Sequence, residues 1–127
     1  MSSTSSGAVG PYSPVVRAGE WLVVSGQVGL QGGHLVDGGV AAQTRQALAN
    51  LRGHLEGEGA GLDQVAKTTV FLRHISDFPA MNAAYAEVFG DHRPARSTVA
   101  VAGLPLGALI EIEAWAYVGR GRGRGGA

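Results

Sequence analysis

The sequence of 127 residues contains no cysteine, and aromatic residues make up only 6% of it. Without cysteine there is no disulfide, thiolate nucleophile or zinc–thiolate site, so any catalysis must use oxygen and nitrogen groups. No apolar run approaches the roughly 20 residues that a membrane-spanning helix needs. The polar start MSSTSSG also lacks the basic and apolar segments of a secretory signal. These absences predict a soluble, cytoplasmic protein with no membrane partner.

Charged residues are scarce, at 16%, and ten basic side chains balance ten acidic ones. Three of the ten cations are Arg120, Arg122 and Arg124, in a C-terminal stretch without an acid. Removing those three leaves seven basic side chains against ten acidic ones in the rest of the chain. Nucleic acids are bound by clusters of Lys and Arg, so this mildly acidic body predicts no nucleic-acid partner.

Metal-ligand patterns are also missing. The four histidines, His34, His54, His74 and His92, are scattered, and no two stand at the i, i+4 spacing of a helical metal site. We therefore expect turn or surface positions for them and no bound metal.

Glycine is abundant, with 21 residues that cluster between apolar segments and predict turns. The small-residue start and the Arg-Gly end have nothing to bury. We predict a flexible arm over 1–9, a single domain over 10–118 and a disordered Arg-Gly tail over 119–127.

Apolar periodicity predicts strands, a helix, a strand, a second helix and further strands, in that order. The first helix starts near Val40 and ends in the stretch 57–61. The second follows Ser76, a candidate N-cap, and ends at Gly90, a candidate left-handed stop.

The last strand, over 109–117, alternates small apolar residues on one face with Glu111, Glu113, Trp115 and Tyr117 on the other. Only the small apolar face suits helix packing. The order of elements predicts an α+β fold, with two helices on one face of a mostly antiparallel mixed sheet of about six strands. The other face needs a partner or a solvated cavity, and burial in a homo-oligomer is the economical answer for so small a domain.

Two places in the sequence are candidates for chemistry. Arg96 lies where a loop becomes a strand, and a fixed guanidinium there offers a planar fork for a carboxylate. The alternative is a solvated charge or a surface ion pair. Glu111 and Glu113 share a strand face, on which a partly buried carboxylate can position water or act as a general base. The alternative is an exposed strand edge or an ion pair between subunits, which we favour for Glu113.

Seven segments of the sequence form a recognisable series: Gly10-Pro11-Tyr12-Ser13-Pro14, Ser25-Gly26-Gln27, Gln43-Thr44 with Asn50-Leu51, Val65-Ala66-Lys67-Thr68-Thr69-Val70-Phe71, Asp77-Phe78 with Asn82 and Tyr85, Pro94-Ala95-Arg96-Ser97, and Ile110-Glu111-Ile112-Glu113-Ala114. Together, and in this order, they resemble the reactive intermediate deaminase (Rid) family, also called translation-inhibitor endoribonuclease-like. The resemblance runs from about Gly10 to Tyr117.

The resemblance implies a chorismate-mutase-like fold assembled as a homotrimer, with active sites in clefts between adjacent subunits. It implies hydrolytic deamination of 2-imino acids and their enamine tautomers, such as 2-iminobutanoate or 2-iminopropanoate, to 2-keto acids and ammonia, without a cofactor or metal. A non-catalytic trimer that binds small carboxylates or partner enzymes is the alternative. The family's older name suggests a ribonuclease, but the acidic body and the lack of a His or Lys dyad argue against it.

The resemblance also implies roles for individual residues. Arg96 would bind the substrate carboxylate, and Glu111 would hold or activate the water that attacks C2. Glu113 would be structural. The remaining substrate-binding positions are Tyr12, Gly26, Asn82 and, through its backbone, Thr98.

The sequence departs from the family pattern in two places near Arg96. The segment 90–94 is shorter than in typical members and lacks the aromatic residue usual there, which leaves the substrate range open. Thr98 stands where the best-known deaminases often have cysteine.

Overall fold

The structure, a computed structural model, describes residues 10–119. The predicted N-terminal arm lies outside these residues, and so does the predicted tail apart from Gly119. Neither helix in the described range is long and apolar enough to cross a membrane. The strands are β1 (Val15–Ala18), β2 (Trp21–Gln27), β3 (Leu30–Gln31), β4 (His34–Leu35), β5 (Val65–Leu72), β6 (Ala95–Ala100) and β7 (Ile110–Tyr117). The helices are α1 (Gly39–Gly57) and α2 (Phe78–Phe89).

Five strands form one sheet in the order β1-β2-β7-β5-β6. Neighbouring strands are antiparallel except β5 and β6, which run parallel. The predicted α+β class with a mostly antiparallel mixed sheet is therefore confirmed.

The main sheet has five strands rather than about six, because β3 and β4 form a separate ribbon. A polar side chain of α1 connects the start of this ribbon to the helix. The Asn50 Nδ2 group donates to the carbonyl oxygens of Val28, at 3.1 Å, and Leu30, at 2.9 Å. These bonds satisfy backbone acceptors that a longer strand would have paired in a ladder.

Both helices pack on the same face of the sheet, as the alternation in the last strand predicts. The apolar residues of β7 that face them are fully buried: Ile110, Ile112, Ala114 and Ala116. Helix α1 covers them with buried apolar residues that share one helix face, namely Val40, Ala47, Leu48, Leu51 and Leu55. Burying each leucine of this stripe contributes about 1.5–3 kcal/mol to folding.

Helix α2 starts slightly differently from the prediction. Residues 75–77 form a 3₁₀ turn, so Asp77 rather than Ser76 occupies the N-cap position. The Ser76 cap was wrong because the 3₁₀ turn places that serine before the helix start. Gly90 ends α2 at the predicted position with a φ of +65°, which favours glycine, but its ψ of −125° lies outside the left-handed helical region that we expected.

The opposite face of the sheet carries apolar side chains without a helix over them in the described part of the chain. Trp21 makes edge-to-face contacts with Trp115, at a ring-centroid distance of 6.0 Å, and with Tyr117, at 5.1 Å. Trp115 remains 45% exposed, and Val99 on β6 remains 44% exposed. We call this surface the open face. Exposed apolar area of this kind is typical of interaction surfaces.

Candidate functional site

Arg96 points from β6 toward the helix-covered face, in register with Thr68 on β5. Its guanidinium carbon lies 4.8 Å from the ring centre of Tyr85 and 5.6 Å from that of Phe78. The Arg96 Nη2 group donates a 2.7 Å hydrogen bond to the Asn82 Oδ1 atom. Phe78, Asn82 and Tyr85 are spaced four and three residues apart, so one stripe of α2 holds the guanidinium in place.

The groups that hold Arg96 are neutral. Within residues 10–119 no carboxylate pairs with it, and the salt bridges formed there join Arg17 to Glu58 and Arg45 to Glu87. An amide oxygen and two aromatic faces orient the guanidinium without neutralising its charge. Together with Asn82, Arg96 lines a cavity of about 420 Å³. A fixed, uncompensated guanidinium in a cavity is suited to bind an anion, and its planar fork matches a carboxylate.

A buried hydrogen bond supports the ring under Arg96. The Tyr85 hydroxyl lies 2.7 Å from the Thr68 Oγ1 atom, and both residues are buried. Burial raises the pKa of Tyr85 above its ordinary value, although the Thr68 hydrogen bond and the charges of Arg96 and Arg93 act to lower it. Tyr85 is therefore a neutral phenol at physiological pH, and its ring is a fixed platform for the guanidinium.

We expect replacement of Thr68 by Val to lower the free energy of unfolding by about 1–3 kcal/mol, because it leaves the buried Tyr85 hydroxyl without a partner. Tyr85→Phe leaves the Thr68 hydroxyl unpaired in the same way. The double variant should lose less than the sum of the two single losses, since neither hydroxyl then remains. Urea unfolding of the four proteins measures this coupling, and strictly additive losses would show that the hydrogen bond contributes nothing.

Glu111 lies on β7 and points to the open face, opposite in direction to Arg96. The neighbouring strand β2 makes room for it at Gly26, where the pairing with β7 is irregular between Val24 and Gln27. A Cβ atom on Gly26 would fall 2.7 Å from the Glu111 Cδ atom. Only glycine therefore leaves space for the carboxylate in this position.

The Glu111 carboxylate is suited to accept a proton. Burial raises the pKa of Glu111 above its ordinary value, and the negative charge of Glu113 raises it further. Residues 10–119 offer it no hydrogen-bond donor and no ion pair. With Tyr12 and Leu106, among others, it lines a cavity of about 460 Å³. A half-buried carboxylate that faces a cavity can hold a water molecule and act as its general base.

The structure divides the predicted site residues into two groups. One group lines the 460 Å³ cavity and comprises Tyr12, Gly26 and Glu111. The other lines the 420 Å³ cavity and comprises Asn82 and Arg96. Thr98 is half-buried two residues beyond Arg96 on the same face of β6, and it lines neither of these two cavities.

Arg96 and Glu111 do not meet within one chain. Strand β5 separates their strands, and Arg96 is in register with Thr68 whereas Glu111 is in register with Phe71. Thr68 faces the helices and Phe71 faces the other side, because successive residues of a strand point to opposite faces. We call the residues around Arg96 on the helix-covered face the Arg96 half-site, and those around Glu111 on the open face the Glu111 half-site.

Sequence reasoning missed some residues of the Arg96 half-site. The apolar spacing of Phe78 and Tyr85 indicated a core-facing helix stripe, but it could not show that an arginine packs on that stripe. Nothing in their residue types indicated that Thr68 or Arg93 belongs to the site. Thr68 is an ordinary residue of a strand, and Arg93 is an ordinary cation of a loop. Among the four histidines, His92 contacts the backbone: its Nε2 atom lies 2.7 Å from the Val65 carbonyl oxygen.

The chain is similar in sequence and fold to several known proteins. A family model described as Endoribonuclease L-PSP matches residues 3–118. The 2-iminobutanoate/2-iminopropanoate deaminase of Homo sapiens is 44% identical over 115 residues, which cover 89% of this chain and 84% of the human protein. The crystal structure of RidA from the Antarctic bacterium Psychrobacter sp. PAMC 21119 is 36% identical with a TM-score of 0.84, and the match covers 87% of this chain and 91% of that one. The crystal structure of E. coli TdcF with bound serine is 35% identical with a TM-score of 0.82, again covering 87% and 91% of the two chains.

Proposed function

We propose that this chain, which belongs to the Endoribonuclease L-PSP family, hydrolyses reactive 2-imino acids and their enamine tautomers to 2-keto acids and ammonia. The observation that carries the proposal is the Arg96 guanidinium, which neutral groups hold in a cavity without an acidic partner in the described chain. A 2-imino acid presents the carboxylate that such a group binds. The deaminase names of relatives over 40% identical, including the human protein, support the same reaction.

In this mechanism Arg96 binds the C1 carboxylate through two parallel N–H···O bonds and thereby fixes the position of C2. A protonated imine is already electrophilic at C2, so one oriented water suffices for attack. Glu111 accepts a proton from that water as its oxygen bonds to C2, which yields a carbinolamine. Glu111 then transfers this proton to the amino nitrogen, and the C–N bond breaks with loss of ammonia. The hydroxyl proton passes back to Glu111 as the C2–O bond becomes the ketone carbonyl, and ammonia leaves as ammonium.

We infer that two copies of the chain form each site, because one copy separates Arg96 from Glu111. The Arg96 half-site of one copy would face the Glu111 half-site of the next. When two different surfaces of identical chains pair head to tail, the assembly forms a ring if the rotation between neighbouring copies closes. The ring that we propose is a homotrimer with a chorismate-mutase-like arrangement. The exposed Trp115 and Val99 on the open face support burial of this surface between copies.

The proposal is tested by the rate of keto-acid formation from freshly generated 2-iminobutanoate and 2-iminopropanoate, against the uncatalysed rate in the same buffer. We expect acceleration that is proportional to added protein at high protein concentration. Failure to accelerate either imine would refute the deaminase. Carboxylate binding without turnover would then favour the alternative of a binding protein.

Glu111→Gln is expected to lower kcat by about 100-fold or more, the usual contribution of a general base, with little change in KM. The matched control is Glu113→Gln, which removes the same charge from the same strand face. This control should keep most of the activity. A pure KM effect of Glu111→Gln would instead assign Glu111 to binding.

The same control shifts the pH profile in a defined direction. The reaction needs Glu111 ionised, so kcat falls as pH drops through its pKa. Glu113→Gln removes one of the two causes that raise the pKa of Glu111, so the acidic limb should move to lower pH. A limb that stays in place or moves to higher pH would show that another group titrates.

A further inference from the structure

A second arginine lines the same cavity as Arg96. Arg93, in the segment between α2 and β6, lies on the 420 Å³ cavity together with Asn82, Tyr85 and Arg96. Two arginines therefore line one open cavity, Arg93 exposed to solvent and Arg96 half-buried.

Backbone carbonyls pin one end of the Arg93 guanidinium. Its Nη1 group donates to the carbonyl oxygens of Gly90 and His92, just beyond the C-terminal end of α2. Helix C-termini favour a cation, so these contacts hold the charge in place without cancelling it. Within residues 10–119 the Nη2 and Nε groups of Arg93 form no hydrogen bond. These donors are available to a ligand.

No acid in the described chain compensates this pair of charges. Glu87, near the end of α2, is bound by Arg45 of α1 at 3.0 Å. Asp91 forms no salt bridge within residues 10–119. The charges of Arg93 and Arg96 both act to lower the pKa of the Tyr85 hydroxyl, although burial raises it overall. Both charges therefore act on the same point of the cavity wall. Two like charges around one cavity repel each other, and a ligand with two negative charges relieves that repulsion.

We propose that the cavity selects 2-imino acids that carry a second carboxylate in the side chain, with Arg96 binding the C1 carboxylate and Arg93 the distal one. This substrate class rests on the proposed deaminase function. It comprises the imines of aspartate and glutamate, which are produced by enzymes that oxidise the Cα–N bond of acidic amino acids to C=N.

The test compares kcat/KM for 2-iminosuccinate and 2-iminoglutarate with kcat/KM for 2-iminopropanoate and 2-iminobutanoate, all freshly generated from the amino acids. We expect the wild-type protein to prefer the dicarboxylic imines by about tenfold or more. Arg93→Gln should lower kcat/KM for the dicarboxylic imines by about 10- to 100-fold, the value of a charge-assisted contact, mostly through KM. Values for the monocarboxylic imines should fall far less, and Arg93→Lys should retain part of the preference.

Arg52→Gln is the matched control, because Arg52 is exposed on α1, lies outside the cavity and carries the same charge. It should leave all four values unchanged. If Arg93→Gln lowers all four equally, Arg93 only supports its loop, and the inference is wrong. If the wild-type protein shows no dicarboxylate preference while it deaminates the small imines, the inference fails and the deaminase stands.

A binding measurement separates the inference from the proposed function. Calorimetry compares 2-oxoglutarate with 2-oxobutanoate on the wild-type protein and on Arg93→Gln, and it needs no turnover. If no imine is hydrolysed, the deaminase fails, whereas tighter binding of 2-oxoglutarate that disappears in Arg93→Gln would still support two-arginine recognition. Equal binding of the two keto acids by the wild-type protein would overturn it.

Discussion

Replacing Arg96 by Met is expected to lower kcat/KM for imine hydrolysis by about 10²- to 10⁴-fold, since the substrate loses two charge-assisted hydrogen bonds worth roughly 1.5–3 kcal/mol each. Methionine keeps much of the side-chain volume between the rings of Phe78 and Tyr85, so the fold should survive. Arg96→Lys keeps the charge but loses the planar fork, and we expect an intermediate loss. Steady-state kinetics of the variants measures both effects.

The matched control for this variant is Arg45→Met. Arg45 is an exposed arginine of α1 whose salt bridge to Glu87, at 3.0 Å, lies on the surface. Surface pairs contribute little, so activity and stability should change only slightly. Undiminished activity of Arg96→Met, or an equal loss in Arg45→Met, would remove Arg96 from the site.

Two inactive variants are expected to restore activity when they assemble together. Arg96→Met retains an intact Glu111 half-site, and Glu111→Gln retains an intact Arg96 half-site. If each site joins half-sites from two copies, random 1:1 assembly produces about one quarter of sites with both halves intact. Activity should therefore rise from near zero to about a quarter of the wild-type value per site.

The experiment unfolds the two variants, mixes them and refolds them together, with each variant refolded alone as the baseline. The same mixture left native, without subunit exchange, is the control for simple addition of residual activities. A variant carrying both substitutions, refolded with Glu111→Gln, should recover nothing, because no chain then supplies an intact Glu111 half-site. Absence of recovery in the first mixture would place both residues of a working site in one chain.

Much of the fold could be predicted because short-range patterns determine it. The alternation along β7 separates Ile110 and Ile112 from Glu111 and Glu113, and the structure places them on opposite faces as expected. The ends of the two helices could be predicted as well, because α1 ends at Gly57 and α2 ends before Gly90. The Ser76 cap failed because serine, aspartate and a 3₁₀ turn compete within three residues, and composition alone does not decide between them. The separate β3–β4 ribbon is hydrogen-bonded to Asn50, which lies 20 residues beyond Leu30, and no local pattern predicts such a contact.

The candidate site could be predicted only in part. Family resemblance indicated Arg96, Asn82 and Glu111 one residue at a time, and their roles remain predictions. The surroundings of Arg96 follow from the register of β5 with β6 and from the packing of α2, which no local pattern encodes. The Arg93 contribution depends on how the loop folds back toward α2, so the residue type alone gave no signal.

The separation of Arg96 and Glu111 onto opposite sides of one sheet has a consequence for kinetic order. In the proposed assembly an isolated chain would hold both groups but no complete site, so catalysis would depend on the concentration of assembled copies. Once the protein is diluted into the range where copies separate, the rate should fall more steeply than in proportion to the amount of chain. Substrate that bridges the two halves would oppose this loss, because a ligand bound only by the assembled form stabilises that form.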